Sequence, residues 1–237
     1  MNFLVEIKQY IPMISNKEKN TIVVIPAYNE GKKIKNTVLQ VKEYLKYVIV
    51  IDDGSTDNTV IEAESAGAIV FKQKKNMGKG AAIKRGVFEA MKQMPEYILF
   101  MDGDGQHSPA DIPVFLALTP NATLYIGNRM SKNKNMPLVR KVTNIVMSSI
   151  ISRWCKKTIP DTQCGYRMLH KDCFHNVLEC VSNNFDLETE MLVRISRKHR
   201  ILNVPVETIY GDETSKIKPI RDTLRFIRLS RLVKRLP

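Results

Sequence analysis

Tyr97-Ile98-Leu99-Phe100-Met101-Asp102-Gly103-Asp104-Gly105-Gln106 is an apolar run that ends abruptly in two carboxylates one residue apart. The apolar part predicts a short buried strand. In an open α/β sheet, ligands bind at the carboxyl ends of the strands, and that is where this acid pair falls. Asp102 and Asp104 are hard oxygen donors, suited to Mg²⁺ or Mn²⁺ that also holds substrate phosphates. Gln106 can add a third oxygen. Acid pairs in loops are common, so the weight of this one depends on its neighbours.

Working outward, strands and helices alternate. Thr21–Ala27 is a β-branched run, and residues 30–46 place Ile34, Val38, Val41 and Leu45 at helical spacing. Strands are expected at 47–51, 68–71 and 123–127, with a helix at 80–94. Beyond residue 129 the pattern predicts a helix at 138–155, a short strand near 165–169, a helix at 186–199 and a strand at 201–206. Such alternation implies an α/β fold, Rossmann-like, with a mostly parallel central sheet and flanking helices. One domain, 21–215, is expected between an amphipathic extension at 1–20 (Phe3, Leu4, Ile7, Ile11) and a basic tail at 216–237.

Three further strand ends carry chemistry. Pro26-Ala27-Tyr28-Asn29-Glu30 offers a flat ring and an acceptor for a base or ribose, though taken alone a strand-end turn with a helix cap explains it better. Asp52-Asp53-Gly54-Ser55-Thr56-Asp57 can supply a ribose acceptor at Asp53 and a helix cap at Asp57. Asn76-Met77-Gly78-Lys79-Gly80 is a glycine turn opening a helix, where backbone N–H groups suit phosphate and Lys79 is a mobile cation. It lacks the spacing of a Walker A loop. An EF-hand reading of Asp102 fails because His107 stands where that loop needs glycine. His107 reads as a turn or surface histidine.

The net charge of +13 is concentrated: residues 129–157 carry eight Lys/Arg and no acid, residues 216–237 carry eight and one acid, and the remainder nets −2. Two such patches seek polyanions: nucleic acid, anionic lipid or a phosphorylated acceptor. Cys155, Cys164, Cys173 and Cys180 form no C-x-x-C pair and are expected as reduced thiols of a cytosolic protein. Neither a signal peptide nor a transmembrane stretch is apparent.

These segments, together with Ile126-Gly127-Asn128-Arg129 and Asp161-Thr162-Gln163-Cys164-Gly165-Tyr166-Arg167, resemble glycosyltransferase family 2 from about residue 21 to 216. The polyprenol-phosphate branch, which includes dolichol-phosphate mannose synthase and dolichol-phosphate glucosyltransferase, is the nearest in pattern. The resemblance implies a GT-A fold, a nucleotide-diphosphate sugar donor (GDP-mannose or UDP-hexose type) and a divalent metal, Mg²⁺ or Mn²⁺. It implies donor contacts at Pro26, Tyr28, Glu30, Asp53, Lys79, Asp102 and Gly103, and metal ligands at Asp102, Asp104 and Gln106. Acceptor-phosphate cations fall on Arg129, Arg140 and Lys216, the last in a substrate-covering segment, Tyr210–Lys216. Glu188 and Glu190 are expected near sugar hydroxyls, although both also read as a charged helix start. Asp102, Asp104, Arg129 and Lys79 are the expected catalytic set. The family's Gly-Ser-Arg is here Gly127-Asn128-Arg129, which keeps the arginine.

The resulting expectation is inverting transfer of one sugar to a polyprenyl phosphate by an enzyme peripheral on the cytoplasmic face of a membrane. Val142, Ile145, Val146, Ile150, Ile151 and Trp154, between Arg140-Lys141 and Lys156-Lys157, would supply an interfacial helix. The arginine stripe of the tail would meet anionic lipid, or dock on the domain or a membrane partner protein. A family member with a soluble or glycan acceptor is the alternative. A basic nucleic-acid-binding protein is a weaker one, because strand-end carboxylates repel phosphates.

Overall fold

In a computed structural model of the chain, residues 18, 20–131, 136–207, 209 and 230 are described. The amphipathic extension, the Tyr210–Lys216 segment with Lys216, and the basic tail lie almost wholly outside them. The sheet is built from β1 (Thr21–Ala27), β2 (Tyr47–Asp52), β3 (Ile69–Lys72), β4 (Tyr97–Phe100), β5 (Leu124–Asn128), β6 (Arg167–His170) and β7 (Ile201–Pro205). Its order is β3-β2-β1-β4-β6-β5-β7. Every pairing is parallel except those of β6, which runs antiparallel to both β4 and β5.

Among the described residues, seven helices flank the sheet: α1 (Ile34–Lys42), α2 (Thr59–Ser65), α3 (Lys79–Met91), α4 (Ile112–Leu118), α5 (Leu138–Cys155), α6 (Phe174–Leu178) and α7 (Asp186–Ser196). Side chains along β1 alternate between two cores, as the two-residue period of a strand requires. Ile22 and Val24 join α3, α5, α6 and α7 on one face, whereas Val23 and Ile25 join α1, α2 and α4 on the other. The four cysteines are buried free thiols. Among the described residues, no helix is long and apolar enough to cross a membrane.

Helix α1 begins later than its apolar spacing predicts. Asn29 has a positive φ of 54° and the Gly31 N–H donates to Asp57 Oδ2, so residues 29–33 form a turn rather than a first helical turn. Helix α4 follows a 3₁₀ turn at Pro109–Asp111 and was not expected from the sequence. Helix α5 does span 138–155, but its apolar residues divide. Ile151 is buried, Trp154 packs against the core, and Leu138, Val139, Val142, Ile145 and Val146 are exposed. Trp154 is therefore a packing residue rather than an interfacial one.

The topology gathers the site. β1, β2, β4 and β5 end at one edge of the sheet, and antiparallel β6 begins there. Phe100 pairs with Arg167, so two residues further on Asp102 stands opposite Gly165.

Candidate active site

Asp102 is the centre of the site. Lys79 Nζ lies 2.6 Å from Asp102 Oδ1 and 3.0 Å from Glu188 Oε1, and all three side chains are largely shielded. Burial opposes ionisation of Asp102, but Lys79, His107 and Arg129 outweigh it and hold the carboxyl down at about 2. Burial likewise opposes the Lys79 charge, yet Asp102 and Glu188 raise its pKa well above the ordinary lysine value. In this structure Lys79 is thus a charged cation held between two carboxylates.

The turn itself is anchored by Asp53. Its Oδ1 accepts from Met77 N–H at 2.7 Å and Gln73 Nε2 at 2.8 Å, and its Oδ2 accepts from Gly78 N–H at 2.8 Å. Burial raises the Asp53 pKa in spite of the two backbone donors. In this structure the Asp53 carboxylate, expected as a ribose acceptor, is buried and holds the glycine turn. The turn then packs on the start of α7. A Cβ on Gly80 would stand 2.7 Å from the Asn183 and Asn184 backbone, and Ala81 N–H donates to Asn183 O. That contact brings Glu188 to Lys79.

His107 is one correction. It is buried, stacked on Tyr166 with ring centroids 5.0 Å apart, and its Nδ1 accepts the Asp102 N–H at 3.1 Å. Accepting at Nδ1 places the ring proton on Nε2, 4.0 Å from Asp102 Oδ2. Burial lowers its pKa to about 4 against the pull of Asp102, so the ring is neutral near pH 7. Asp104 Oδ1 accepts the Gln106 N–H at 3.0 Å, and Gln106 O accepts the Ile209 N–H, which returns the chain after β7 to this loop.

Arg129, at the end of β5, is held by Asp161. Its backbone N–H and Nε donate to Asp161 Oδ2 at 3.1 and 2.7 Å, and its Nη2 donates to Oδ1 at 2.9 Å. Asp161 is fully buried, also accepts from Asn144 Nδ2 at 2.9 Å, and keeps a lowered pKa because Arg129 overcomes the cost of burial. Arg140 lies in the first turn of α5 and is half-buried. Pro26 is buried at the end of β1, Tyr28 is 41% exposed beside it, and Glu30 is half-buried with its N–H donating to Thr59 Oγ1. Gly103 lies against Ile34, Ala27 and Ile25, where a Cβ would make ordinary to tight contact.

Glu190 is another correction. It is fully buried and accepts from Val181 N–H, Ser182 N–H and Arg194 Nε, so it clamps the turn before α7 and offers nothing to a sugar. Only Glu188 of that pair belongs to the site.

Residues 22–178, well over half of the chain, match the family described as Glycosyl transferase family 2. The chain belongs to that family.

Among its relatives, an uncharacterized protein of Methanocaldococcus jannaschii is 33% identical over 206 residues, 83% of this chain and 84% of that one. The UDP-N-acetylglucosamine--dolichyl-phosphate N-acetylglucosaminyltransferase of Methanococcus voltae is 32% identical over 221 residues, covering 82% and 88%. Glycosyltransferase AglJ of Haloferax volcanii is 32% identical, covering 90% and 71%. These relatives set the chain in the polyprenol-phosphate branch of family 2. The crystal structure of Mycobacterium tuberculosis glucosyl-3-phosphoglycerate synthase with Mn²⁺, UDP and phosphoglyceric acid superposes with a TM-score of 0.72 at 18% identity, covering 96% and 83%. At that identity the likeness speaks to the fold, which is GT-A-like.

One residue of this glycosyltransferase stands in a quoted segment, Asp161–Arg167, but was assigned no role from sequence. Arg167 is 1% exposed and spends its guanidinium on three carbonyls: Nε on Cys164 O (2.8 Å), Nη2 on Thr162 O (2.8 Å) and Nη1 on Glu188 O (2.7 Å). It ties the segment before β6 to the helix that carries Glu188. A lone arginine opening the apolar run Met168-Leu169 is the signal that could have found it.

Proposed function

We propose that this family 2 glycosyltransferase moves one sugar from a nucleotide-diphosphate donor to a polyprenyl phosphate, with inversion, at the cytoplasmic surface of a membrane. The observation that carries the proposal is the presence of two carboxylate-held cations at one sheet edge, Lys79 in the Asp102–Glu188 cradle and Arg129 on Asp161. Bringing a diphosphate and a phosphate together requires cations on both sides. An acceptor phosphate monoester, with a second pKa of about 6, is already an anionic nucleophile at pH 7. No strong base is then needed, consistent with a His107 that is neutral, buried and occupied at Nδ1.

The donor set suits a divalent metal. Asp102, Asp104 and Gln106 supply oxygens only, and the Lys79 ammonium already stands on Asp102 where a cation is called for. No cluster of three or more His, Cys, Asp or Glu side chains is preformed among the described residues. That fits an ion held by one or two carboxylates plus substrate phosphates. When bound, it would neutralise charge on the departing diphosphate. The Methanococcus voltae relative named for dolichyl phosphate, and the solved structure containing Mn²⁺ and UDP, support the acceptor, the metal and the donor class. Tyr28 would stack on the base, Glu30 would accept from it, and Arg140 and Lys216 would add charge on the acceptor side.

The exposed apolar residues of α5, from Leu138 to Val146, support contact with a bilayer, since the acceptor's tail stays in the lipid. The test is incubation of the purified protein with a panel of nucleotide sugars and undecaprenyl phosphate, with Mn²⁺ or EDTA. Metal-dependent lipid-linked sugar is expected and names the donor. Donor hydrolysis without lipid product moves the acceptor elsewhere, to the soluble-acceptor alternative.

A further inference from the structure

Helix α5 has a polar inner stripe as well as its apolar outer one. Asn144, Ser148 and Ser152 recur every four residues and face the segment at 159–162. Asn144 Nδ2 donates to Asp161 Oδ1 at 2.9 Å, and Ser148 Oγ donates to Asn144 Oδ1 at 3.0 Å. Ser148 Oγ also accepts the Thr162 N–H at 2.9 Å, and Ser152 exchanges hydrogen bonds with the Ile159 backbone. Asn144, Ser148, Asp161 and Thr162 are all buried. The far end of this chain is Arg129, gripped by Asp161 on its Nε–Nη2 edge and at its backbone N–H.

We infer that Asp161, oriented by Asn144, is a positioning residue for sugar transfer: it fixes which edge of the Arg129 guanidinium is presented to the acceptor phosphate. A guanidinium carries five N–H donors in a rigid fork, so engaging the Nε–Nη2 edge determines the direction of all the others. A carboxylate serves better than a neutral acceptor because charge-assisted bonds hold the fork more tightly. Its burial also keeps water from competing. The relay begins on the helix whose opposite face carries exposed Val142, Ile145 and Val146, so the element proposed to meet the bilayer also sets the acceptor arginine. The inference rests on the acceptor reading above.

The test is a double-mutant cycle on the full-length chain, with undecaprenyl phosphate as acceptor and the donor found in the panel. Arg129→Ala, Asp161→Asn and the double variant are compared for acceptor KM, donor KM and Tm. Asp161→Asn should raise acceptor KM about tenfold, the scale of one charge-assisted hydrogen bond, with donor KM within about twofold. In the Arg129→Ala background it should add nothing to acceptor KM and should recover part of the lost Tm, because a buried unpaired carboxylate is removed. Asn144→Ala, a milder change that keeps the ion pair, should raise acceptor KM about threefold in the same direction. Equal acceptor and donor losses, or losses that persist in the Arg129→Ala background, overturn the positioning role. An Arg129→Ala enzyme with unchanged acceptor KM overturns the acceptor reading itself, and the inference with it. A raised acceptor KM in Arg129→Ala but not in Asp161→Asn or Asn144→Ala sinks the inference alone.

Discussion

Gly165 has no room for a side chain because the site lies directly against it. A Cβ there would stand 2.9 Å from Asp102 Oδ2 and 3.0 Å from Lys79 Nζ. Gly165→Ala must push the carboxylate or the ammonium aside, so kcat should fall more than tenfold. Overpacking of this kind costs only about 1–3 kcal/mol of stability, and circular dichroism should still show a folded protein. The two glutamates of α7 should separate in the opposite sense. Glu190→Gln replaces one of the two acceptor oxygens by an NH2, sets a donor against one of the two backbone N–H groups and weakens the Arg194 contact, and should lower stability by about 1–3 kcal/mol with KM values unchanged. Glu188→Gln should leave Tm nearly unchanged and reduce kcat/KM for the donor about tenfold, as one half of the Lys79 cradle loses its charge. Similar Tm losses in both variants would contradict this division. From sequence the two acids look alike, since both lie in one acidic helix start. Only the fold of residues 181–182 back onto α7 tells them apart. His107 was hidden for the same reason: its partner is a backbone N–H five residues away.

At the scale of elements, the strands and the glycine turn were legible because each has a local cause: apolar period, a proline stop, or glycines opening a helix. Strand direction was not. β6 reads like any other short apolar run, and only its pairing with β4 and β5 shows that it runs backwards. That reversal brings the 161–165 segment to the same edge as Asp102. The sides of α5 were likewise blurred, because an apolar census does not say which residues the sheet will cover. If its outer face meets lipid, Val142→Glu with Val146→Glu should abolish pelleting with phosphatidylglycerol vesicles and leave donor hydrolysis intact. Both positions are more than half exposed, so Tm should move by no more than about 0.5 kcal/mol equivalent. Undiminished pelleting would assign the membrane contact to another element.

For the molecule as a whole, acidity should act through buried histidine before it reaches the carboxylates. His107 has a folded-state pKa of about 4, below its unfolded value near 6.5, so the unfolded chain binds the extra proton first. Stability is therefore fully present above about pH 6.5 and is lost as the pH falls towards 4, by up to about 3 kcal/mol in metal-free protein. Asp102 and Asp161, both held low, add their losses only below the ordinary carboxylate range. Thermal melts in EDTA from pH 7 to 4 check this. His107→Gln, whose amide oxygen can still accept the Asp102 N–H, should flatten the slope, and an unchanged slope would place the acid sensitivity elsewhere.

The three carbonyls on Arg167 also set a rule for recombination. Two belong to the 161–165 segment and one to α7, and the guanidinium between them is sealed from water. A chimera that imports a relative's segment while keeping the resident α7, or the reverse, joins halves of one buried polar socket that were shaped separately. Crossovers placed before residue 161 and after residue 196 would carry the socket as a unit, so that donor or acceptor preference could be exchanged without dismantling its scaffold.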